Sequence, residues 1–344
     1  MTLALVIGSA GGALAAWANL PLAWMIGAML ATTAASAGGL AIAMPVGLRN
    51  GFVVVLGIML GSSFSPEILE RLGDWALSLS MLLVYTAAGG AAGYVYFRRL
   101  VGYDPITAYF AAMPGGLTEM VLVGGAMGGD SRTISMTHGA RILLVVLALP
   151  FAFQLVLGYD PATKPAAGAS LAAASLQDLA ILAFCGIAGF LAARAVRLPA
   201  APIVGPMAAS AAVHLAGWTS AQPPVELVAV AQIVVGSAIG CRFAGVPFAT
   251  IARTALAAAG GTVVLVAVTL LIAMALHAAT GLPASALILA FSPGGLAEMS
   301  LIAIALSMDA AFVATHHIVR IFLIVVLAPL AFRLLRRRAV QAGD

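Results

Sequence analysis

Long apolar runs, broken by short polar or Gly/Pro punctuation, dominate the chain. Runs of about 20 apolar residues recur without period-two alternation, which predicts membrane-spanning α-helices rather than outer-membrane strands. In the first half the pattern predicts segments at about 2–18, 21–40, 51–65 and 74–97 and a last helix at about 132–157. In the second half it predicts 172–193, 199–216, 226–243 and 250–277 and a last helix at about 310–334. Segment 51–65 is short for a crossing. Between the fourth segment and the last helix of each half lies a Pro-Gly-Gly stretch of its own kind: PGGLTEM (Pro114–Met120) and PGGLAEM (Pro293–Met299).

The two halves are one unit written twice. Gly8–Leu30 matches Gly186–Ala208 without gaps, with Gly8, Ala10, Gly11, Leu20, Pro21, Gly27 and Met29 identical at an offset of 178. Gly57–Phe64 matches Gly236–Phe243 at an offset of 179, and the same offset pairs Glu119 with Glu298, Asp130 with Asp309, His138 with His317 and Arg141 with Arg320. The expected organisation is a first membrane repeat (1–157), a linker (158–171), a second repeat (172–335) and a basic cytoplasmic tail (336–344). The N-terminal run resembles a secretory leader but lacks a basic start, and its match in the second half marks it as a structural helix. Internal duplication of this kind is common in transporters.

Composition agrees. Of 344 residues 63% are hydrophobic and 8% charged, against about 25% charged in a soluble domain, so the chain lacks the polar surface to coat a water-soluble globule. The net charge of +4 does not point to nucleic acid, because the arginines stand at the ends of apolar runs, where they set topology. Cys185 and Cys241 lack a CxxC partner and read as buried thiols.

Topology turns on the PGG segments. If they cross, each repeat has six spans and the repeats are parallel; if they dip in and return, each has five and the repeats are inverted. With the N-terminus in the cytoplasm, the inverted arrangement places every loop arginine except Arg71 inside, leaving only Lys164 with it outside and Arg141 and Arg320 in the membrane. Loop charge bias therefore favours inversion. The expected fold is an all-α polytopic membrane protein of two inverted repeats, about ten transmembrane helices plus two re-entrant or broken PGG helices, with both termini cytoplasmic.

The PGG segments also carry the candidate chemistry. Proline breaks a helix, and paired glycines let another backbone approach. Such a break survives at membrane depth only where it lines a cavity or is buried in protein. Gly115, Gly116, Gly294 and Gly295 form the breaks; Thr118, Glu119 and Glu298 stand in the first turn of the half-helix that follows, where free N–H groups favour a carboxylate. Each last helix places a His and an Arg on one face: His138 with Arg141 and His317 with Arg320. Arg141 falls roughly 15 Å into its helix at about 1.5 Å per residue. An unpaired charge at that depth costs at least about 2.5–3.5 kcal/mol, so Glu119, Glu298, Arg141 and Arg320 are expected to meet around a pseudo-two-fold axis. These pairs mark either a solute or proton pathway or a structural tie between last helix and break. The Gly57-x-x-x-Gly61 and Gly236-x-x-x-Gly240 pairs read as packing sites, Asp130 and Asp309 as helix N-caps, and His214 and His277 as interface residues. No nucleotide loop, serine-nucleophile motif or HExxH zinc site occurs.

With PGGLxEM, an acidic helix start and HxxR all duplicated, the chain resembles the AbrB family of bacterial inner-membrane proteins, over essentially residues 1–335. The name is shared with an unrelated soluble DNA-binding regulator, whose swapped-hairpin fold these residues do not resemble. The resemblance implies a multi-pass inner-membrane location. It carries two family labels, ammonia monooxygenase and regulation of gene expression, the latter through the membrane regulator of an alkylation-response gene.

The residues favour a secondary transporter of a small solute, a carboxylate or similar anion drawn by Arg141 and Arg320. Glu119, Glu298, His138 and His317 are the candidates for proton coupling, and no cofactor is expected. A monooxygenase would need His and carboxylates converging on copper or iron, and here each stands about one turn from an arginine that repels a metal. A sensor acting on transcription without transport is the remaining alternative; no nucleic-acid partner is expected for it, and self-association into an oligomer stays open.

Overall fold

A computed structural model describes residues 1–158 and 168–341, and every regular element among them is helical. The first half runs α1 (Thr2–Trp17), α2 (Ala23–Ala37), α3 (Val46–Gly61), the short α4 (Ile68–Arg71), α5 (Ala76–Val95), α6 (Pro105–Ala112), α7 (Leu117–Ala126) and α8 (Ser131–Leu157). The second runs α9 (Leu176–Ala195), α10 (Ala201–Leu215), α11 (Val225–Gly240), α12 (Phe248–Thr280), α13 (Ala284–Phe291), α14 (Leu296–Ala305) and α15 (Ala310–Gln341). Each apolar segment read from the sequence is a helix, and each PGG segment separates a pair of short ones. The linker expected at 158–171 lies mostly outside the described residues, as does Lys164.

Among the described residues six helical stretches are long and apolar enough to cross a bilayer: Leu72–Val101, Ser131–Val156, Leu176–Ala195, Val225–Phe243, Phe248–Thr280 and Ala310–Leu334. Helices α1, α2, α3 and α10 are as apolar but hold only 15 or 16 residues, about 24 Å at most against a hydrocarbon thickness of about 30 Å.

The chain forms two compact units, and neither coincides with a repeat. Unit 1 takes Met1–Trp75, Val146–Ala252 and Leu296–Ala314; unit 2 takes Ala76–Val145, Arg253–Gly295 and the residues from Thr315 onward.

In unit 1, α1 folds back on α2 through a turn in which Asn19 and Leu22 are left-handed, at φ 52° and 49°. Arg197 and Ala200 repeat that turn between α9 and α10, at φ 54° and 51°. A non-glycine residue in this region is uncommon and strained, so its recurrence around Leu20-Pro21 and Leu198-Pro199 shows the same local solution used twice. Gly11 meets Gly27 across the first hairpin and Gly189 meets Gly205 across the second, with no room for a Cβ at any of them. The hairpins then exchange partners. Helix α2 packs on α11, where Gly236 and Gly240 accept Met25 and Thr32; α10 packs on α3, where Gly57 and Gly61 accept Ile203, Met207 and Ser210. Ser210 donates from Oγ to the Ile58 carbonyl at 2.8 Å. Both GxxxG pairs are packing sites, as expected, but each serves the other repeat. His214, expected at the interface, is instead buried, its Nδ1 2.7 Å from the Ser210 carbonyl and its Nε2 2.9 Å from that of Ala221.

In unit 2, α6 starts on a strong signal. Asp104 accepts from the N–H groups of Ile106 and Thr107, and Pro105 takes the first helical position. The helix packs along α5 and its terminal π-turn, Tyr96–Val101. Gly260 and Gly261 of α12 bring that backbone against Tyr96 and Phe97.

Gly61→Val places methyl groups against the Met207 carbonyl, a backbone atom that cannot give way. Thermal unfolding in detergent should show a loss of about 1–3 kcal/mol or more; Gly47→Ala on the same helix, where a Cβ meets open space, should change little.

Candidate functional site

The first PGG break is the tip of a helical hairpin. Helix α6 runs to Ala112, the backbone is extended at Met113 and Gly116, and α7 begins at Leu117. The chain then returns along α6: Gly124 lies against Phe110, Gly129 against Ile106, and the Asp130 N–H donates to Thr107 Oγ at 2.8 Å. Asp130 caps α8 as expected, accepting from the N–H groups of Arg132 and Thr133. Partial burial pushes its carboxyl up, but the Thr133 and Arg132 hydrogen bonds and the Arg132 charge outweigh that and hold it below the usual carboxylate range. Asp309 caps α15 through the Phe312 N–H, 2.9 Å away.

Ending α6 and α13 inside an apolar protein leaves their last carbonyls without helical partners. The His-x-x-Arg motifs meet that need, twice and in the same way. Arg141 donates from Nη1 to the Met113 carbonyl at 3.0 Å and from Nη2 to that of Gly115 at 3.4 Å. Arg320 donates to the Ser292 carbonyl at 2.7 Å and to that of Gly294 at 3.0 Å. His138 reaches the Phe110 carbonyl and His317 the Leu289 carbonyl, at 2.9 and 3.0 Å. In both pairs Arg Nη2 lies within 3.0 Å of His Nδ1. Because a carbonyl can only accept and a guanidinium can only donate, the proton of each imidazole belongs on Nε2. The network thus holds each histidine as one neutral tautomer.

Both guanidinium groups are buried, Arg141 at 4% and Arg320 at 2% exposure. In each, Nε has no hydrogen-bond partner. Tyr85 of α5, in the same unit, packs edge-on against Phe291. The Tyr85 hydroxyl is buried beside Thr269 without a well-formed hydrogen bond, while Thr269 Oγ donates to the Phe291 carbonyl at 3.1 Å. His316 faces away from the motif, with Nε2 2.8 Å from Ser78 Oγ, as adjacency to His317 requires.

The pairing of Glu119 with Arg141 and Arg320, part of the expected meeting of two glutamates with two arginines, does not occur within unit 2. Glu119 is half-buried, forms no ion pair with Arg141 or Arg320, and folds back over Gly116, where a Cβ would strike its carboxylate. That is the position of a residue reaching back to its own helix start. Thr118 is exposed; Gly115 lies against Ile324 and Met120. Glu298, on α14 in unit 1, is buried and forms no ion pair with another residue of that unit. The balance failed because the arginines spend their donors on backbone carbonyls, which carry no residue-type signature. Tyr85 and Thr269 escaped notice for the same reason: a lone hydroxyl in an apolar run is an ordinary sight.

Comparison with known proteins gives a consistent family. The family model described as "Transition state regulatory protein AbrB" matches residues 24–336. "Uncharacterized protein YhjN" of Bacillus subtilis (strain 168) is 27% identical, covering 99% of this chain and 94% of the relative. "Putative regulator AbrB" of Escherichia coli (strain K12) is 26% identical, covering 90% of this chain and 89% of the relative.

Arg320→Met removes the donors to two buried carbonyls and should destabilise the fold by about 3–5 kcal/mol. Tyr85→Phe removes a hydroxyl without a well-formed bond and should stay within about 1 kcal/mol of the parent. Chemical unfolding of both variants in detergent measures the contrast.

Proposed function

The chain belongs to the AbrB family, and on that premise we propose that it is a secondary transporter of a small organic anion in the bacterial inner membrane. One observation carries the reading. Unit 2 holds two buried guanidinium groups at duplicated helix breaks, each with an Nε donor unused and neither in an ion pair with a carboxylate among the described residues. A buried charge is costly unless paired, and ionisable groups at membrane depth usually mark a pathway. A carboxylate solute supplies the missing charge and the missing acceptors together. The Tyr85 hydroxyl, under the influence of both arginines, offers a further donor.

On this reading the α6–α7 hairpin is re-entrant, the repeats are inverted, and both termini face the cytoplasm, in keeping with the positions of the loop arginines. On the same reading His138 and His317 anchor the breaks and, with Glu119 and Glu298, are the candidates for proton coupling. Self-association into a homo-oligomer is compatible with the reading. The regulatory name of the Escherichia coli relative fits a second reading, in which solute movement or sequestration of a partner alters transcription indirectly.

The purified protein in liposomes, with a panel of small carboxylates and an imposed pH gradient, tests the proposal. Uptake of at least one carboxylate should appear and fall tenfold or more in Arg141→Lys and Arg320→Lys, which keep the charge but lose the planar fork. Uptake indifferent to both changes overturns the anion site.

A further inference from the structure

Counting charges and donors within unit 2 narrows the class of solute. Among its described residues three carry a carboxylate, and each is engaged elsewhere. Asp104 accepts from the N–H groups that open α6, Asp130 from those that open α8, and Glu119 folds back over Gly116. Arg141 and Arg320 therefore keep two positive charges and two buried Nε donors without a partner. Contacts inside the unit gather the two groups. Gly115, whose carbonyl accepts from Arg141 Nη2 at 3.4 Å, packs on α15 so closely that a Cβ there would stand 2.7 Å from Ile324 Cγ2. Ile324 lies one helical turn beyond Arg320, on the same face of α15. Helix α5 touches both breaks. Its Gly90 abuts Met113, whose carbonyl accepts from Arg141. Its Tyr85 ring is centred 5.6 Å from that of Phe291, the neighbour of Ser292, whose carbonyl accepts from Arg320.

We propose that unit 2 binds a small dicarboxylate, with one carboxylate on Arg141 and the other on Arg320. A monocarboxylate would neutralise one buried guanidinium and leave the second unopposed, a costly state away from water. A dicarboxylate balances both charges and brings an acceptor to each Nε donor. Two separate carboxylates also suit guanidinium groups that stand at different breaks, whereas sulfate concentrates its charge on one centre. The inference names the solute class for the transport reading and rests on it for its biological purpose, though binding itself needs no transport.

Calorimetric titration of the purified full-length protein in detergent at neutral pH tests the assignment, with malonate, succinate and glutarate, each beside its monoamide, and with sulfate. The monoamide keeps the length of the molecule and replaces one carboxylate by a neutral group. At least one dicarboxylate should bind on the order of tenfold more tightly than its monoamide, and more tightly than sulfate. Arg141→Gln and Arg320→Gln each remove one charge and should erase that preference. Arg141→Lys and Arg320→Lys keep both charges, so they should weaken dicarboxylate binding while retaining the preference, which guards against loss through misfolding. Equal affinity for every dicarboxylate and its monoamide, sulfate binding as tight as the best dicarboxylate, or no binding at all overturns the proposal. Equal affinity accompanied by monocarboxylate uptake into liposomes sinks the dicarboxylate and leaves the transport reading standing. Selective dicarboxylate binding without uptake sinks transport and leaves the site.

Discussion

Interrupting a helix within an apolar protein frees backbone carbonyls that nothing nearby can satisfy, and most of this chain's unusual features follow from that constraint. A helix end at a protein surface borrows water; an end enclosed in hydrocarbon or protein must find donors in the chain itself. Arg141 and Arg320 are long enough to reach two carbonyls each and present several donors in a fixed fork, which lysine does not. The histidines complete the task at the Phe110 and Leu289 carbonyls. The spacing of three between His and Arg is then an outcome of geometry: one helical turn separates the two levels of the break that each side chain serves.

The same constraint bears on function. A guanidinium that bonds only to neutral groups, here carbonyls and an imidazole nitrogen, keeps its whole charge, and its Nε donor is held in place by the bonds that anchor the rest of the group. Such an arrangement is preorganised for an anion, since binding need not reorder the side chain. Structural and functional readings of the His-x-x-Arg motif are therefore not rivals. The bonds that tie each last helix to its break also aim the unused donor.

Much of the fold was legible in the chain. The duplication, the helices, the GxxxG contacts and the aspartate caps all follow from patterns local in sequence, because periodicity, glycine spacing and cap chemistry act over a few residues. What stayed hidden depends on partners far away. Nothing local indicates that α2 would seat on α11 while α10 seats on α3, although the equivalent glycines in both helices were a fair hint. The expected pairing of Glu119 with arginine failed because opposite charges were matched by type, whereas the arginines were already committed to backbone.

The exchange of hairpins in unit 1 also explains how two copies of one motif could part ways. Each half seats its GxxxG face against a helix of the other, so both copies are held to the same backbone geometry by packing. Side chains that do not take part in that exchange are free to differ. Val228 and Arg49 occupy equivalent places, as do Ser63 and Arg242, and each pair holds a charge in one copy alone. Internal symmetry thus preserves the scaffold and the carbonyl-binding arginines, while the carboxylates it duplicated have come to sit in different electrostatic surroundings.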